Sequence, residues 1–389
     1  MPVSEIPEAQ IEKWLILGLI GAISPVRRRA IAGRYGGLDG AVAEGPGRWW
    51  RDGLLPRQGG QATFGSASGG TVPETLSSLE DTRDWAARQI REARRRGVML
   101  LPWGTDGYPP LLGVAPDPPP VIYVRGDPSA LDLPAVAVVG ARRPSRYGRD
   151  IARRLGAALA GAGVAVVSGG ARGIDSEAHL GALEGGGPTI SVMGCGLDMI
   201  YPPENAALFG RIAASGILAS EYPFGFAPRP QYFPARNRVI AGLGLGVIVV
   251  EGREGSGSLI TANCALEANR EVMAVPGPLG SKLSDGPNRL IAEGAQLVRG
   301  LRDVVGALPS WAGVTHPDEE GGERGRPGPE LDEESKAVMD LLEPHEGKSA
   351  DEIGGILGVG PGEVLGRLTA LELMGLIDQM PGGRYARRS

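Results

Sequence analysis

The chain has 389 residues, of which 42% are apolar and 22% charged, and a formal net charge of −5. That length exceeds one comfortable hydrophobic core, so two or three domains are expected, and the acidic balance argues against a protein that coats duplex DNA through one broad basic surface. Cys195 and Cys264 are isolated, without metal-binding spacing, and read as small buried hydrophobes.

The N-terminal apolar run has acidic rather than basic flanks and no cleavage site, so it reads as a buried helix instead of a signal peptide. With two cysteines, no export signal and nothing long enough to span a membrane, the cytoplasm is the expected compartment. Residues 11–20 and 26–35 predict two helices joined by GAIS (21–24), and the Gly- and Ser-rich stretch 53–79 predicts a flexible loop. Short, β-branched runs follow at 135–139, 164–168, 188–193, 216–220, 245–250 and 272–275, as strands buried on both faces of a parallel sheet would read. Helical patterns at 147–162, 174–184, 204–214, 234–243 and 258–269 alternate with them, which predicts a doubly wound α/β domain over roughly 135–300.

Right-handed crossovers bring the strand-to-helix loops of such a sheet to one rim. Those loops are GARRPSRYG (140–148), SGGARGID (168–175), GCGLDMIYPPEN (194–205), an aromatic loop ending in PARNR (234–238), and EGREGSGSLIT (251–261). Their glycines and helix N-termini suit phosphate, with Gly140, Gly170, Gly173, Ser256, Gly257 and Ser258 as backbone or hydroxyl contacts and Arg142, Arg143, Arg146, Arg172, Arg236 and Arg238 as charges. No loop offers an ordered dinucleotide fingerprint or a Walker lysine, so neither a dinucleotide nor a nucleoside triphosphate site is expected, and no cofactor or metal is. The segment YPFGFAPRPQYFPARNR (222–238) interleaves aromatics with Arg229, Arg236 and Arg238, the chemistry of a single-strand grip in which rings stack on bases and guanidiniums fork onto phosphates. Within it, Phe224 and Phe233 are expected to be packed and Tyr232 or Phe226 to face the ligand.

Plainer readings stand beside these. Arg172 could pair with Asp175 in its own turn, Arg238 could be a buried partner of Glu221 or Glu251, and Asn237 could bond loop backbone. His179 reads as a packing-face residue rather than a catalytic one, since no nucleophile accompanies it in a recognisable arrangement.

The stretch from about 100 to 299 resembles the DNA-processing protein A (DprA/Smf) family. The resemblance rests on YPPLL (108–112), DPPPVIYVRGD (117–127), VAVVGARRPSRYG (136–148), VVSGGARGID (166–175), GCGLDMIYPPEN (194–205), FPARNRVIAGL (233–243), GSGSLITANCALE (255–267) and VPGPLGSKLSDGPNRLIAEGA (275–295), in family order. It implies an extended Rossmann-like domain that binds single-stranded DNA, protects incoming strands and loads the RecA recombinase in natural transformation, acting as a homodimer without covalent chemistry. The family's basic pocket falls on Arg142, on Ser168, Gly169 and Arg172, and on Arg236, Asn237 and Arg238. Ala141 stands where serine or threonine is common, and Gly170 where leucine is frequent. An alternative is a nucleotide-cleaving enzyme of the lysine-decarboxylase-like Rossmann group, although EGREGSGSLITANCALE (251–267) stands where that group has its PGGxGT signature.

Beyond an acidic Pro/Gly linker, patterns at 331–342, 349–357 and 361–375 predict three helices and 376–387 a hairpin, with Ser349 and Glu352 as a capping box. This resembles the winged-helix module of many DprA proteins. Residues 314–389 carry a net −8 and the third helix holds Glu363 and Glu372, so a protein-contact role is expected there rather than groove reading. The expected division is 1–100, a helical domain resembling a sterile-alpha-motif or helix-hairpin-helix fold; 101–308, the Rossmann-like domain; 309–330, linker; and 331–389, winged helix.

Overall fold

The computed structural model describes residues 6–19, 30–31, 33–52, 79–309, 331–343, 347–374, 376–380 and 383–387. They belong to two compact units, 1–316 and 317–389. The joint at 21–24, half of the expected helix 26–35, the expected loop at 53–79 except its last residue, and the expected linker beyond residue 309 lie outside the described residues.

The strands of the first unit are β1 (Met99–Pro102), β2 (Val121–Gly126), β3 (Ala135–Val139), β4 (Ala165–Ser168), β5 (Thr189–Val192), β6 (Ile217–Ser220), β7 (Gly246–Val249), β8 (Glu271–Ala274) and β9 (Gln296–Leu297). They form one nine-stranded sheet in the order β1-β2-β6-β5-β4-β3-β7-β8-β9. From β6 to β9 neighbouring strands are parallel, and β2 runs antiparallel to both β6 and β1. Strands β3 to β7 are buried at every position, which is why their sequences run apolar without alternation. The strand order reverses between β3 and β7, so a crevice opens beyond their carboxyl ends.

Helices α1 (Glu8–Leu19), α2 (Leu38–Arg51), α3 (Leu79–Arg96), α4 (Pro110–Gly113), α5 (Arg146–Gly161), α6 (Ile174–Glu184), α7 (Ala206–Ser215), α8 (Tyr232–Leu243), α9 (Gly257–Glu267), α10 (Asp285–Ala292) and α11 (Leu301–Ala307) surround the sheet. Alternate residues of β3, Ala137 and Val139, join a core with Val239 and Ile240 of α8 and Ala262 and Ala265 of α9. The intervening Val136 and Val138 join the opposite core, with Leu155 of α5, Ala178 of α6 and Val304 of α11. A third cluster binds Leu15, Ile16 and Leu17 of α1 and Trp85 and Ile90 of α3 to Leu100, Val121, Tyr123 and Phe224. The expected boundary at residue 100 therefore falls inside β1, because the N-terminal helices bury their apolar faces on the antiparallel edge of this sheet. None of β1, β2 and β9 is among the six strands expected from apolar runs.

In the second unit, α12 (Glu333–Asp340), α13 (Ala350–Leu357) and α14 (Pro361–Leu373) pack with β10 (Lys348–Ser349), β11 (Ile377–Met380) and β12 (Arg384–Arg387). The strands are antiparallel in the order β10-β12-β11, around Val338, Ile353, Val364, Leu368, Leu371 and Ile377. The capping box is formed: Glu352 N donates to Ser349 Oγ at 3.2 Å and Ser349 N to Glu352 Oε2 at 2.8 Å.

Helices α5 and α6 approach backbone to backbone. A Cβ at Gly181 would overlap the carbonyl oxygen of Arg153, whereas one at Gly210 in α7 would meet nothing within 4 Å. Gly181→Ala is expected to destabilise the first unit by about 1–3 kcal/mol through overpacking. Gly210→Ala should stabilise it by about 0.5–1 kcal/mol through helix propensity. Denaturant midpoints of the two variants against the parent check both signs.

Candidate nucleic-acid interface

Beyond β3 and β7 the rim loops enclose an open cavity of about 350 Å³, lined by Gly140, Ala141, Arg142, Ala171, Asp175, Phe233, Arg236, Asn237, Ser256, Gly257, Ser258 and Thr261 among others. Gly140 is required by close approach, since a Cβ there would stand 2.6 Å from Ile174 Cγ1 and 2.9 Å from the Glu251 carbonyl oxygen. Gly173 holds a positive φ of 82°, and a Cβ on it would stand 2.7 Å from Pro144 Cδ, so this residue lets the first two rim loops close on each other.

Helix α8 supplies the cavity floor and its aromatic wall. It begins at Tyr232, two residues before the expected start, with Pro234 in the first turn where backbone N–H groups have no helical partner. Helical spacing then sends Tyr232 and Val239 inward and Phe233, Asn237 and Ile240 toward the cavity, with the buried Arg236 at its floor. The expected roles of Phe233 and Tyr232 are thereby exchanged. Tyr232 is 1% exposed and stacks on Tyr222 with centroids 4.6 Å apart. Phe224 is buried as expected, and half-buried Phe226 stacks on Tyr222 at 6.5 Å. Phe233 stands at the cavity with the exposed Arg142 guanidinium 5.7 Å from its ring centroid and the Tyr201 ring centroid 5.3 Å away. Tyr201 is 41% exposed and beside the exposed Ile200. The sequence reading missed Tyr201, although it lies within a rim-loop motif; an aromatic amid glycine and proline was the available signal.

Arg236 is 4% exposed. Its Nη1 donates to the Gly169 carbonyl oxygen at 2.8 Å and to that of Val192, and its Nε to Asn237 Oδ1 at 3.3 Å. Asp175 faces it across Gly169, accepting from the N–H groups of Gly169 at 3.1 Å and Ala171 at 3.3 Å. Burial pushes the Asp175 carboxyl up and the Arg236 guanidinium down, and each partly offsets the shift of the other. The Nε and Nη1 donors of Arg236 are spent on Asn237 and on the ends of β4 and β5, although Arg236 itself is among the residues lining the cavity. Asn237 likewise donates to the Gly257 carbonyl oxygen at 3.1 Å.

Other expected contacts also turn inward. Ser168 is fully buried and donates to the Val138 carbonyl oxygen at 2.6 Å, and Gly169 and Gly170 are buried. Arg238 lies outside the cavity lining, bound to Glu221, to Asp117 Oδ2 at 3.0 Å and to the Asp117 carbonyl oxygen at 2.6 Å, which is the plainer reading of that residue. Arg172 is exposed and pairs with Glu204, not Asp175. Arg146 pairs with Asp150 at 3.8 Å, while Arg143 and Arg229 are exposed beyond the cavity lining.

The helix N-termini differ. Glu251 occupies that of α5, accepting from Ser145 N at 2.9 Å and Ser145 Oγ at 2.5 Å, while Ser145 Oγ accepts from Gly148 N at 3.0 Å. Asp175 occupies the amides of the second loop. At α9 the Ser256 side chain makes no capping bond and instead shares a 2.8 Å hydrogen bond with Ser258 Oγ, and Ser256, Gly257 and Ser258 line the cavity. This N-terminus is the one of the three facing the cavity without an internal carboxylate. Among the described residues no group of three or more His, Cys, Asp or Glu could hold a metal ion.

Beneath the rim, His179 is fully buried, its Nδ1 2.7 Å from Thr189 Oγ1, which donates to the Val166 carbonyl oxygen at 2.7 Å. The hydroxyl therefore accepts from Nδ1–H, fixing a neutral tautomer. Burial, with Arg236 nearby, lowers its pKa from 6.5 to about 3. A depressed folded pKa means that the unfolded chain takes the proton first, so this contribution is present above pH 6.5 and lost as pH falls toward 3. The loss between pH 6.5 and 5 is expected to be about 1.5 kcal/mol. His179→Leu should remove that part of the slope in urea titrations across the window, with Asp175, which acts in the opposite sense, common to both proteins. Arg238→Ala is expected to lower stability by about 1.5–3 kcal/mol, since it breaks charge-assisted bonds to two carboxylates. A melting curve tests this directly.

A family model described as DNA recombination-mediator protein A matches residues 99–309, and one described as DprA winged helix domain matches 322–383. Protein Smf of Synechocystis sp. is 35% identical over 329 residues, covering 77% of this chain and 82% of that protein. Protein Smf of Escherichia coli is 40% identical over 298 residues, covering 74% and 77%. The X-ray structure of DNA processing protein A from Streptococcus pneumoniae matches with a TM-score of 0.55 at 38% identity, covering 60% of this chain and 83% of that one. With a nine-stranded Rossmann-like sheet, a matched winged-helix module and relatives this similar over most of its length, the chain belongs to the DprA/Smf family of DNA recombination-mediator proteins.

Proposed function

We propose that the switch-point cavity grips single-stranded DNA, and that the protein protects incoming strands and delivers them to RecA. The observation that carries the binding reading is the Phe233 ring at the cavity, with the exposed Arg142 guanidinium on one side and exposed Tyr201 on another. Among the described residues Arg142 has no carboxylate within ion-pair distance. An unstacked base would lie against Phe233 or Tyr201, Arg142 would take a phosphate, and the α9 amides with Ser256 and Ser258 would take the next. Arg236, Asn237, Ser168, Gly169 and Gly170 would hold the loops in place rather than touch the strand. Arg143, Arg146, Arg172 and Arg229 would contribute charge around the cavity.

Delivery to RecA and action as a homodimer rest on the family alone. Two protomers would put two cavities along one strand and raise avidity by effective concentration. For the winged-helix module we propose a protein contact: Arg367 of α14 is held by Glu334 and by Glu363 at 3.2 Å, which leaves that helix no uncommitted arginine for phosphate.

The protein should bind single-stranded DNA more tightly than duplex of the same sequence, with affinity falling as salt rises. Phe233→Ala is expected to weaken that binding by roughly 1–3 kcal/mol at little cost in stability. Tyr232→Ala should instead cost about 3–5 kcal/mol of stability. Equal affinity for the two DNA forms, or an unchanged Phe233→Ala titration, would overturn this assignment.

A further inference from the structure

We infer that the outer face of α3, through Arg88 and Arg91, is a second phosphate-binding surface that receives single-stranded DNA leaving the switch-point cavity. The inference deepens the reading above and rests on it.

The sequence of α3 is lopsided. From residue 88 to 96 it holds five arginines against the single acid Glu92. A helix C-terminus favours cations only within its last turn, which accounts for Arg94, Arg95 and Arg96 but not for Arg88 and Arg91. Tertiary structure divides the arginines further. Arg83 meets Glu12 of α1 at 3.6 Å, and Arg94 pairs with Glu8 of α1. On the opposite flank Arg96 stands with its guanidinium 5.6 Å from the Phe224 ring centroid. At 3.6 residues per turn Arg88, Arg95 and Arg91 fall on the outer surface, Arg88 and Arg95 toward the Arg96 flank and Arg91 between them and the α1 flank. Glu92 is shared between Arg95 and Arg96. Arg88 and Arg91 are exposed, and among the described residues neither has a carboxylate within ion-pair distance.

The helix that carries this face is tied to the cavity, through its buried side, by a continuous set of contacts. Gln89 clamps the aromatic loop onto α3, accepting from Phe224 N at 3.0 Å and donating to the Phe224 carbonyl oxygen at 3.4 Å. The next residue, Gly225, donates to Asp198 Oδ2 at 2.9 Å, and Gly196 N donates to the Phe226 carbonyl oxygen at 2.9 Å. These bonds fix the loop that carries Tyr201, whose ring meets Phe233 at the cavity. A strand stacked on Phe233 and Tyr201 thus leaves over the 222–226 loop toward α3. There two uncommitted guanidiniums meet its phosphates without reading sequence. An acidic protein partner is the competing occupant, and strand length separates the two, because only DNA long enough to leave the cavity can reach α3.

The test is a fluorescence-anisotropy titration of the full-length protein with oligothymidylates of about six and about thirty nucleotides over a range of salt. Arg88→Gln/Arg91→Gln is expected to weaken binding of the long strand at least about fivefold, to reduce its salt slope by about 0.7 per lost phosphate contact, and to leave the short strand unchanged. Arg88→Lys/Arg91→Lys should restore most of the loss, and Arg83→Gln, on the α1 flank, should behave as the parent. Circular dichroism melts establish that each variant is folded, and a milder Arg91→Gln variant serves if the double change is not. An unchanged long-strand affinity and slope overturns the second surface and assigns the arginines to a protein contact or to solvent. Equal losses at both lengths overturn it too, by placing the effect at the cavity. If the parent binds neither oligonucleotide, the single-strand reading itself fails and the extension with it.

Discussion

The site depends on one buried guanidinium. Arg236 reaches from α8 beneath the rim and donates to carbonyl oxygens at the ends of β4 and β5, groups that a parallel sheet leaves without strand partners where it stops. Asp175 balances its charge across Gly169 while accepting the amides of the next loop. A buried, uncompensated arginine would be costly, so the loop 169–175, the start of α6 and the first turns of α8 are fixed together. That arrangement turns Phe233 and Asn237 outward, because Arg236 and Tyr232 occupy the inward positions of the same helix.

The same economy of charge explains how an acidic protein could present the local anion site proposed above. Glu251 and Asp175 satisfy the backbone donors of two rim loops from within and leave the N-terminus of α9 open to the cavity. Field at the cavity then comes from few sources, Arg142 and the α9 amides, with low-dielectric walls of Phe233, Pro230 and Ile240 beside them. A net charge of −5 over the whole chain is compatible with that, since the focusing is local.

The aromatic loop joins this site to the N-terminal helices. Tyr222, Phe224 and Tyr232 are buried and hold the loop to the sheet and to α3, which gives Phe233 and Tyr201 fixed positions at the rim. Few rotamers would then be left to order on the base stacking proposed above, which favours binding.

Much of the architecture was legible in the chain. Continuous β-branched runs determined the parallel strands β3 to β8, their alternation with helices determined that the glycine- and arginine-rich loops share one rim, and the Ser349–Glu352 spacing determined the start of α13. The edge strands β1 and β9 escaped because they are four and two residues long, and β2, an apolar run directly after three prolines, because it stands outside the strand–helix alternation that marks the parallel strands. What only the tertiary structure decided is which of the conspicuous side chains face outward. Arg142, Arg236 and Arg238 look alike in sequence, yet one is exposed over Phe233, one is buried under the sheet ends, and one is tied to Asp117 and Glu221. Tyr232 and Phe233 are adjacent, and their fates divide because a helix turns about 100° per residue and begins at Tyr232 rather than at Pro234. Composition sets what kinds of contact a chain can make, but the partners of each polar group come from elements distant in sequence, and only folding brings them within hydrogen-bond reach.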